Sequence, residues 1–413
     1  MDVIIFFIFF SGSIFLHELG HLLMAKTLGQ SVREMHFGFG PQLHTVRLKN
    51  LDIVIHAMPF GGYVQLNAFR SGAYDALTLA AGPIMNMVLA FVMIFAGSLL
   101  PNHQGFIGAK YQGQSIQEIQ VDGTEVRTWS QLNQYLLYQA IMNDKANLAF
   151  LDQSHSLENT FNEVMSYQVL NKLDLVPVQP EQTIMIQQVD HPCLIAQVKA
   201  KDQLLTLNDH KVYGVLSLIY HLNQSQGDKM TAEVKNNKGE KVAIRFMPGV
   251  MGGRPILGLN YMAIPMSTAS MTVKQSAHHA LMEIILGIKL QFAVLSGLLS
   301  WQLSLHDLSG PIGLYHSIQG IVTYFVFADY VLLFGKINLI LGLFNLLPIP
   351  PLDGGSFLMR LIIGGNKFHA LRILIARLGL IVIIEIGIYT TLNDMNILGI
   401  SPDVPSYFSN LCD

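Results

Sequence analysis

The chain has 413 residues, of which 51% are hydrophobic and only 13% are charged, and its formal net charge is −3. Charges this sparse do not cover the surface of a soluble globular protein, so the composition predicts a membrane protein. The nearly balanced charge provides no basic surface for nucleic acid, which we exclude as a partner. The two cysteines, Cys193 and Cys412, are too few to build a disulfide framework.

The first predicted element is a membrane span over residues 1–24, which lacks the basic start and the cleavage site of a signal peptide. It contains an HExxH motif that runs from His17 to His21. Residues four apart share one face of a helix, so both imidazoles can bind one metal ion. Glu18 lies about 100° round the helix, where it can act as a general base. The alternative is a set of buried polar side chains bonded to other helices, which the cost of ionisable groups in a membrane disfavours.

A loop over residues 25–75 follows, and two segments in it predict a β-hairpin. Leu43–Leu48 and Leu51–Ala57 alternate between apolar and polar residues around a Lys-Asn turn. The edge of this hairpin, or the nearby segment Gly61-Gly62-Tyr63, can take up an unwound substrate by strand addition. The alternative is a hairpin with a purely structural role.

The second span, residues 76–100, carries no charged residue and is followed by a long insert with an internal repeat. Within the insert, Ile119–Leu132 aligns with Leu205–Leu218. Each copy is typical of a strand, a turn, a short strand and a helix, an order that resembles a PDZ domain. We therefore predict PDZ-like domains over residues 102–188 and 189–262. Two unrelated small α+β folds are the alternative.

Residues 263–328 are predicted to lie on the membrane surface rather than to cross it. Their apolar run, Leu281–Ser300, is interrupted by Glu283 and Lys289, which share one arc of a helical wheel with neighbouring polar residues. The rest of the chain is then a third span over residues 329–347, a loop over 348–372, a fourth span over 373–392 and a tail over 393–413. The predicted fold is a polytopic α-helical membrane protein with four transmembrane helices, a membrane-associated β-hairpin and a tandem PDZ-like α+β insert.

Basic residues predict the orientation of these spans. The loops over residues 25–75 and 348–372 carry more Lys and Arg than Asp and Glu, so both should face the cytoplasm, with the insert and both termini outside. The third span then runs inward like the first, and Asp353 at its end can meet the two histidines as the third ligand of a catalytic zinc site. This holds only if Leu281–Ser300 does not cross the membrane. An ordinary carboxylate in a helix-terminal loop is the alternative for Asp353.

Six short motifs are distributed from the first span to the turn that follows the third span. They are HELGH in the first span, GFGP at Gly38–Pro41, PFGGYV at Pro59–Val64, AAGPIMN at Ala80–Asn86, LSGPIG at Leu308–Gly313 and NLLPIPPLDGG at Asn345–Gly355. Together they resemble the site-2 protease family of intramembrane zinc metalloproteases, and the resemblance covers nearly the whole chain. One departure is Ser356, where related sequences often have His, but it is not an assigned ligand.

The resemblance implies a role for each site residue. His17, His21 and Asp353 would bind Zn²⁺, Glu18 would be the catalytic base, and Asn345 would contact the substrate backbone or the developing oxyanion. It further implies an endopeptidase of a bacterial inner membrane, surrounded by lipid, that acts in regulated intramembrane proteolysis. The insert and both termini would then be periplasmic.

The implied substrates are single-span membrane proteins similar to anti-sigma factors, trimmed beforehand by another protease. The PDZ-like pair would either exclude substrates with a large outer domain or recruit trimmed ones. Two other functions stay open. A metal-ion transporter would use the ionisable residues as an ion path, although the sequence lacks the inverted repeat common in transporters. A non-catalytic PDZ scaffold would have no need of Glu18.

Overall fold

The computed structural model describes most of the chain. The described residues are 2–49, 51–66, 72–103, 107–142, 145–151, 153–158, 173, 175–179, 182–189, 194, 197–225, 228–251, 254–266, 268–305, 308, 310, 326–363 and 369–395. Both cysteines, most of the LSGPIG motif and the predicted tail beyond residue 395 lie outside the described residues.

The described residues include eight helices. They are α1 (Asp2–Thr27), α2 (Gly72–Leu99), α3 (Trp129–Ile141), α4 (Val215–Gln224), α5 (Val273–Leu299), α6 (Phe327–Asn345), α7 (Asp353–Ile362) and α8 (His369–Asp394). Four helices in the described part of the chain, α1, α2, α5 and α6, are long and apolar enough to cross a membrane. Three of them match predicted spans. The predicted span over residues 373–392 is helical within α8 but is not one of the four.

The helix α5 is predicted to be amphipathic and to lie on the membrane surface, and this stays a prediction. It has the length and apolarity of a span. Part of its polar arc faces the insert, because Glu283 is only 2% exposed and accepts a hydrogen bond from Gln134 Nε2 of α3 at 3.3 Å. Lys289 of the same arc is exposed, as are the apolar Leu281 and Phe292. The wheel arc therefore marks a contact with the insert, a contact that the sequence pattern alone does not distinguish from a solvated face.

Contacts at the helix ends show where α5 and α6 begin relative to α2. The Met271 amide donates to Ser98 O at 2.8 Å, so α5 begins where α2 ends. His103 Nδ1 lies 2.6 Å from Asp329 Oδ2, so α6 begins there as well. The helix α5 thus leaves unchanged the side on which α6 begins. Asp353 thus meets the histidines with α5 beside α2 and α6, and the expectation that α5 does not cross the membrane stays a prediction.

The predicted hairpin is confirmed, and its strands are longer than expected. They are β1 (Val32–Leu48) and β2 (Leu51–Leu66). Met35 lies opposite both Val64 and Ile53, so the first half of β1 lies between the two halves of β2. Met35 also packs, fully buried, with Leu22 and Ala25 of α1. This packing holds the hairpin beside the end of α1 that carries the HExxH motif.

The insert is built from two units, each with its own hydrophobic core. The strands are β3 (Gly108–Tyr111), β4 (Gln114–Ile116), β5 (Ile119–Val121), β6 (Thr124–Val126), β7 (Lys145–Phe150), β8 (Gln153–Glu158), β9 (Val176–Gln179), β10 (Gln182–Val189), β11 (Gln203–Leu207), β12 (His210–Lys211), β13 (Met230–Lys235), β14 (Lys241–Phe246), β15 (Gly249–Met251), β16 (Arg254–Ile256) and β17 (Leu259–Pro265). The first unit has sheets β4-β3-β9 and β6-β5-β7-β8, and the second has β14-β13-β11-β10-β17 with β12 beside β11.

Both copies of the repeat form the predicted elements in the predicted order. The first copy is β5, a turn, β6 and α3, and the second is β11, a turn, β12 and α4. Leu132 of the first copy and Leu218 of the second, which align in the sequence, are both buried in the cores of their units. Strand β10 pairs with β11 and β17, so it joins the second unit, although the predicted boundary after residue 188 assigned it to the first.

Candidate metal centre

Three side chains from opposite ends of the chain meet at one point. His17 Nε2 lies 2.8 Å from Asp353 Oδ2, and His21 Nε2 lies 3.2 Å from the same oxygen. The two Nε2 atoms are 3.1 Å apart. Among the described residues, this is the one group of three His, Cys, Asp or Glu side chains placed to hold a metal ion.

The helix α2 orients the two imidazoles. His21 Nδ1 donates to the carbonyl of Thr78 at 2.7 Å, which leaves Nε2 with its lone pair toward the centre of the cluster. A Cβ at Gly82 would overlap His21 Nε2 and would lie 2.7 Å from His17 Cε1. Gly20 of α1 is equally close, because a Cβ there would lie 2.7 Å from Ala81 O. Glycine at these positions lets the two helices approach closely enough for α2 to cover the rings.

The position of Asp353 depends on the turn between α6 and α7, since it is the first residue of α7. A Cβ at Gly354 would overlap Leu346 O, and one at Gly355 would overlap the Pro350 nitrogen. Only a backbone without side chains folds back on the turn this tightly. Burial raises the pKa of Asp353, but the adjacent His17 and His21 side chains outweigh it and lower the pKa to about 2, so the group is a carboxylate at neutral pH.

The donor set fits zinc. Catalytic zinc sites typically have three protein ligands, with nitrogen and oxygen atoms about 2.0–2.2 Å from the metal and a fourth position open. Such atoms are about 3.3–3.6 Å from one another in a tetrahedron. The separations of 2.8, 3.1 and 3.2 Å are slightly shorter than these, so a small outward shift of the side chains makes room for the ion. One carboxylate and two imidazoles are also the ligand types that suit zinc.

Glu18 is buried beside the ligands and faces the hairpin. Its side chain is close to Gly62 of β2, where a Cβ would lie 2.9 Å from Glu18 Cγ and 2.6 Å from His36 O. The neighbouring Gly61 has a φ of +77°, and a side chain there would overlap the Phe39 ring. The backbone of the predicted glycine segment therefore passes directly beside the candidate base.

The remaining predicted site residues are Tyr63 of the hairpin and Asn345 of α6. Tyr63 stacks on the His36 ring with centroids 4.2 Å apart and is exposed on the hairpin. Asn345 is the last residue of α6, and the turn over residues 346–352 separates it from Asp353. The sequence did not indicate the roles of Thr78 and Gly82. A backbone carbonyl leaves no residue signal, and Gly82 was visible only as part of the AAGPIMN motif.

Comparison with known proteins places this geometry in context. The profile of peptidase family M50 matches residues 5–384. The chain is 26% identical to the regulator of sigma-W protease RasP of Bacillus subtilis, over 86% of this chain and 88% of that one. It is 23% identical to the zinc metalloprotease RasP of Geobacillus kaustophilus, over 86% and 88% of the two chains. It is also 23% identical to the regulator of sigma-E protease RseP of Salmonella typhimurium, over 83% and 86%.

Proposed function

The chain belongs to peptidase family M50, and we propose that His17, His21 and Asp353 hold its zinc ion while Glu18 serves as general base. The protein is an intramembrane zinc metalloprotease of the site-2 type that acts in regulated intramembrane proteolysis. The observation that carries the residue assignment is the meeting of three ligand atoms within 4.8 Å of one another, from helices at opposite ends of the chain.

The proposed chemistry divides the work between the ion and the buried carboxylate. Zinc is a Lewis acid that lowers the pKa of water to about 7. The Glu18 carboxylate takes a proton from the attacking water, whose oxygen forms a bond to the peptide carbon. When the C–N bond breaks, Glu18 returns that proton to the leaving nitrogen, so the proton balance closes on one residue. We place Asn345 near the substrate backbone or the oxyanion, as the family resemblance implies.

The hairpin is the proposed surface that receives the substrate. A transmembrane helix hides its carbonyls in internal hydrogen bonds, and an unwound stretch in lipid leaves unsatisfied groups that cost several kcal/mol each. Residues Gly62–Gln65 pair on one side with the first half of β1, and the described residues include no strand paired on the other side. Strand addition at this edge would pair the backbone N–H and C=O groups of the unwound substrate and place the substrate beside Glu18.

The substrate class and the domain type of the insert are proposed from the relatives and from the order of elements. The protein is an integral membrane protein, and its relatives are named regulators of sigma-W and sigma-E. We propose as substrates single-span proteins similar to anti-sigma factors, trimmed by another protease before they reach the site. The two units of the insert are proposed to be PDZ-like domains on the periplasmic side, because each contains a strand–turn–strand–helix order around its own core.

Glu18→Gln tests the assignment of the base. The amide cannot take a proton, and general base catalysis contributes about 10²–10⁴-fold, so cleavage of a labelled transmembrane segment should fall by at least that range. Zinc content should stay at the parental level, because Glu18 is not a ligand. Glu385→Gln, at an exposed position in α8, is the matched control and should cleave at the parental rate. A Glu18→Gln variant as active as this control would rule out Glu18 as the base.

A further inference from the structure

A buried ion pair joins the helix that carries the third ligand to the helix that orients the histidines. Arg360 Nη1 of α7 lies 3.1 Å from Asp75 Oδ2 of α2. Asp75 is only 3% exposed, and Arg360 is half-buried. The two residues are 285 positions apart in the sequence, so the pair connects elements that the local sequence does not bring together.

The spacing of residues along both helices relates this pair to the metal centre. Asp353 and Arg360 are seven residues apart in α7, which is two turns, so they share one face and are separated by about 10 Å along the axis. Asp75 and Gly82 have the same spacing on α2, with Thr78 on the same face between them. One end of this contact holds the ligands against Gly82 and Thr78. The other end holds Arg360 against Asp75.

The pair lies where it can limit how far α7 slides along α2. A shift by one residue is about 1.5 Å, which is enough to move a carboxylate out of a zinc coordination shell. Two further contacts hold α7, but they join it to elements other than α2 and so do not fix its position along α2. Gly354 and Gly355 fold against the preceding turn, and Arg372 Nη1 donates to Ile363 O at 3.2 Å, just after the last residue of α7.

We propose that Asp75 and Arg360 are positioning residues for the third metal ligand, and that their ion pair sets the register in which α7 brings Asp353 to the two imidazoles. This inference rests on the proposed zinc site. Neither side chain touches the ligands, so the pair acts through the helix backbone. Outer groups that orient metal ligands typically change metal affinity by about 10–100-fold when they are removed.

The test is the zinc affinity of the full chain in detergent, measured by stripping the metal and titrating Zn²⁺ back against a chromophoric chelator. Asp75→Asn and Arg360→Gln should each weaken zinc binding about 10–100-fold. The double variant should be no weaker than the poorer single variant, since both changes break one contact. Arg377→Gln removes an exposed arginine from the neighbouring helix α8 and should bind zinc like the parent.

Three outcomes overturn the proposal. The first is a zinc affinity of Arg360→Gln equal to that of Arg377→Gln. The second is a pair of losses that add in the double variant. The third is a lower unfolding temperature of the metal-free protein with unchanged zinc affinity, which would mean a merely structural ion pair.

Two further measurements keep the result interpretable. If Arg360→Gln does not fold, Arg360→Lys decides, because lysine keeps the charge without the planar guanidinium. Zinc affinity below that of Arg377→Lys supports the proposal, and equal affinity contradicts it. Undiminished zinc binding by His17→Ala would instead overturn the proposed site, so the two failures are distinguishable.

Discussion

Gly82 shows how a single residue decides the geometry of the metal centre. It lies on the face of α2 that covers both imidazoles, where any side chain would occupy the space of the rings. The histidines could be predicted from sequence because four-residue spacing on a helix has a direct geometric meaning. The atoms that orient them could not, since a glycine surface and a backbone carbonyl gain their roles only when α1 and α2 pack together.

Gly82→Ala is expected to damage the site without removing any ligand. Its Cβ would overlap His21 Nε2, so the ring must turn away or α2 must shift, and zinc affinity should fall by at least about 10-fold. Gly387→Ala is the matched control, since nothing lies within 4 Å of a Cβ at that position in α8. Metal titration of both variants provides the measurement. Equal affinities would mean that α2 does not confine the rings.

At the scale of elements, the hairpin and α5 show what sequence patterns report. Alternation predicted correctly that Leu43–Leu48 and Leu51–Ala57 pair, although Leu43–Leu48 is exposed along almost its whole length. It did not predict that the strands extend to Val32 and Leu66 beside α1. The pattern of α5 does not show what its polar face contacts. A polar arc is the same on a helical wheel whether it meets water or the glutamines of another helix. Only the fold shows that α3 covers Glu283 of this arc.

Crosslinking tests the proposed substrate edge of the hairpin. A photoreactive residue at Tyr63, in an inactive Glu18→Gln background, should crosslink to substrate residues next to the cleaved bond. Val46 is the control, because it lies on the other edge of the same hairpin and is similarly exposed, at 39% against 46% for Tyr63. Equal yields at both positions, or a yield only at Val46, would contradict strand addition beside Glu18.

At the scale of the whole molecule, the insert enters and leaves the helical part at one place. Asn102, just after α2, bridges Ala269, just before α5, and their backbone groups exchange hydrogen bonds of 2.9 Å. The insert is therefore tied to the end of α2 opposite to the zinc site. A substrate with a large outer domain would collide with it, whereas one with a short tail would pass. We propose that the insert selects substrates by size in this way.

Deleting residues 104–259 tests this selection by size. Asn102 and Ala269 lie close together, so a short linker can join the ends. Cleavage rates are compared for long-tailed and short-tailed versions of one substrate. Exclusion predicts that the deletion raises the rate for the long-tailed version more than for the short-tailed one. If the deletion variant keeps zinc and the ratio of the two cleavage rates is unchanged, the proposed selection by size is wrong. A fall mainly for short-tailed substrate would show recruitment instead.

We propose that zinc joins α1 to α7, helices at opposite ends of the chain, through Asp353. The most direct measurement is the zinc content of purified Asp353→Ala, with Asp209→Ala as a control at an exposed turn of the insert. Two imidazoles alone hold zinc poorly, so Asp353→Ala should retain well under one zinc per chain and lose proteolysis, whereas Asp209→Ala should stay fully loaded. One zinc per chain in Asp353→Ala would contradict the account.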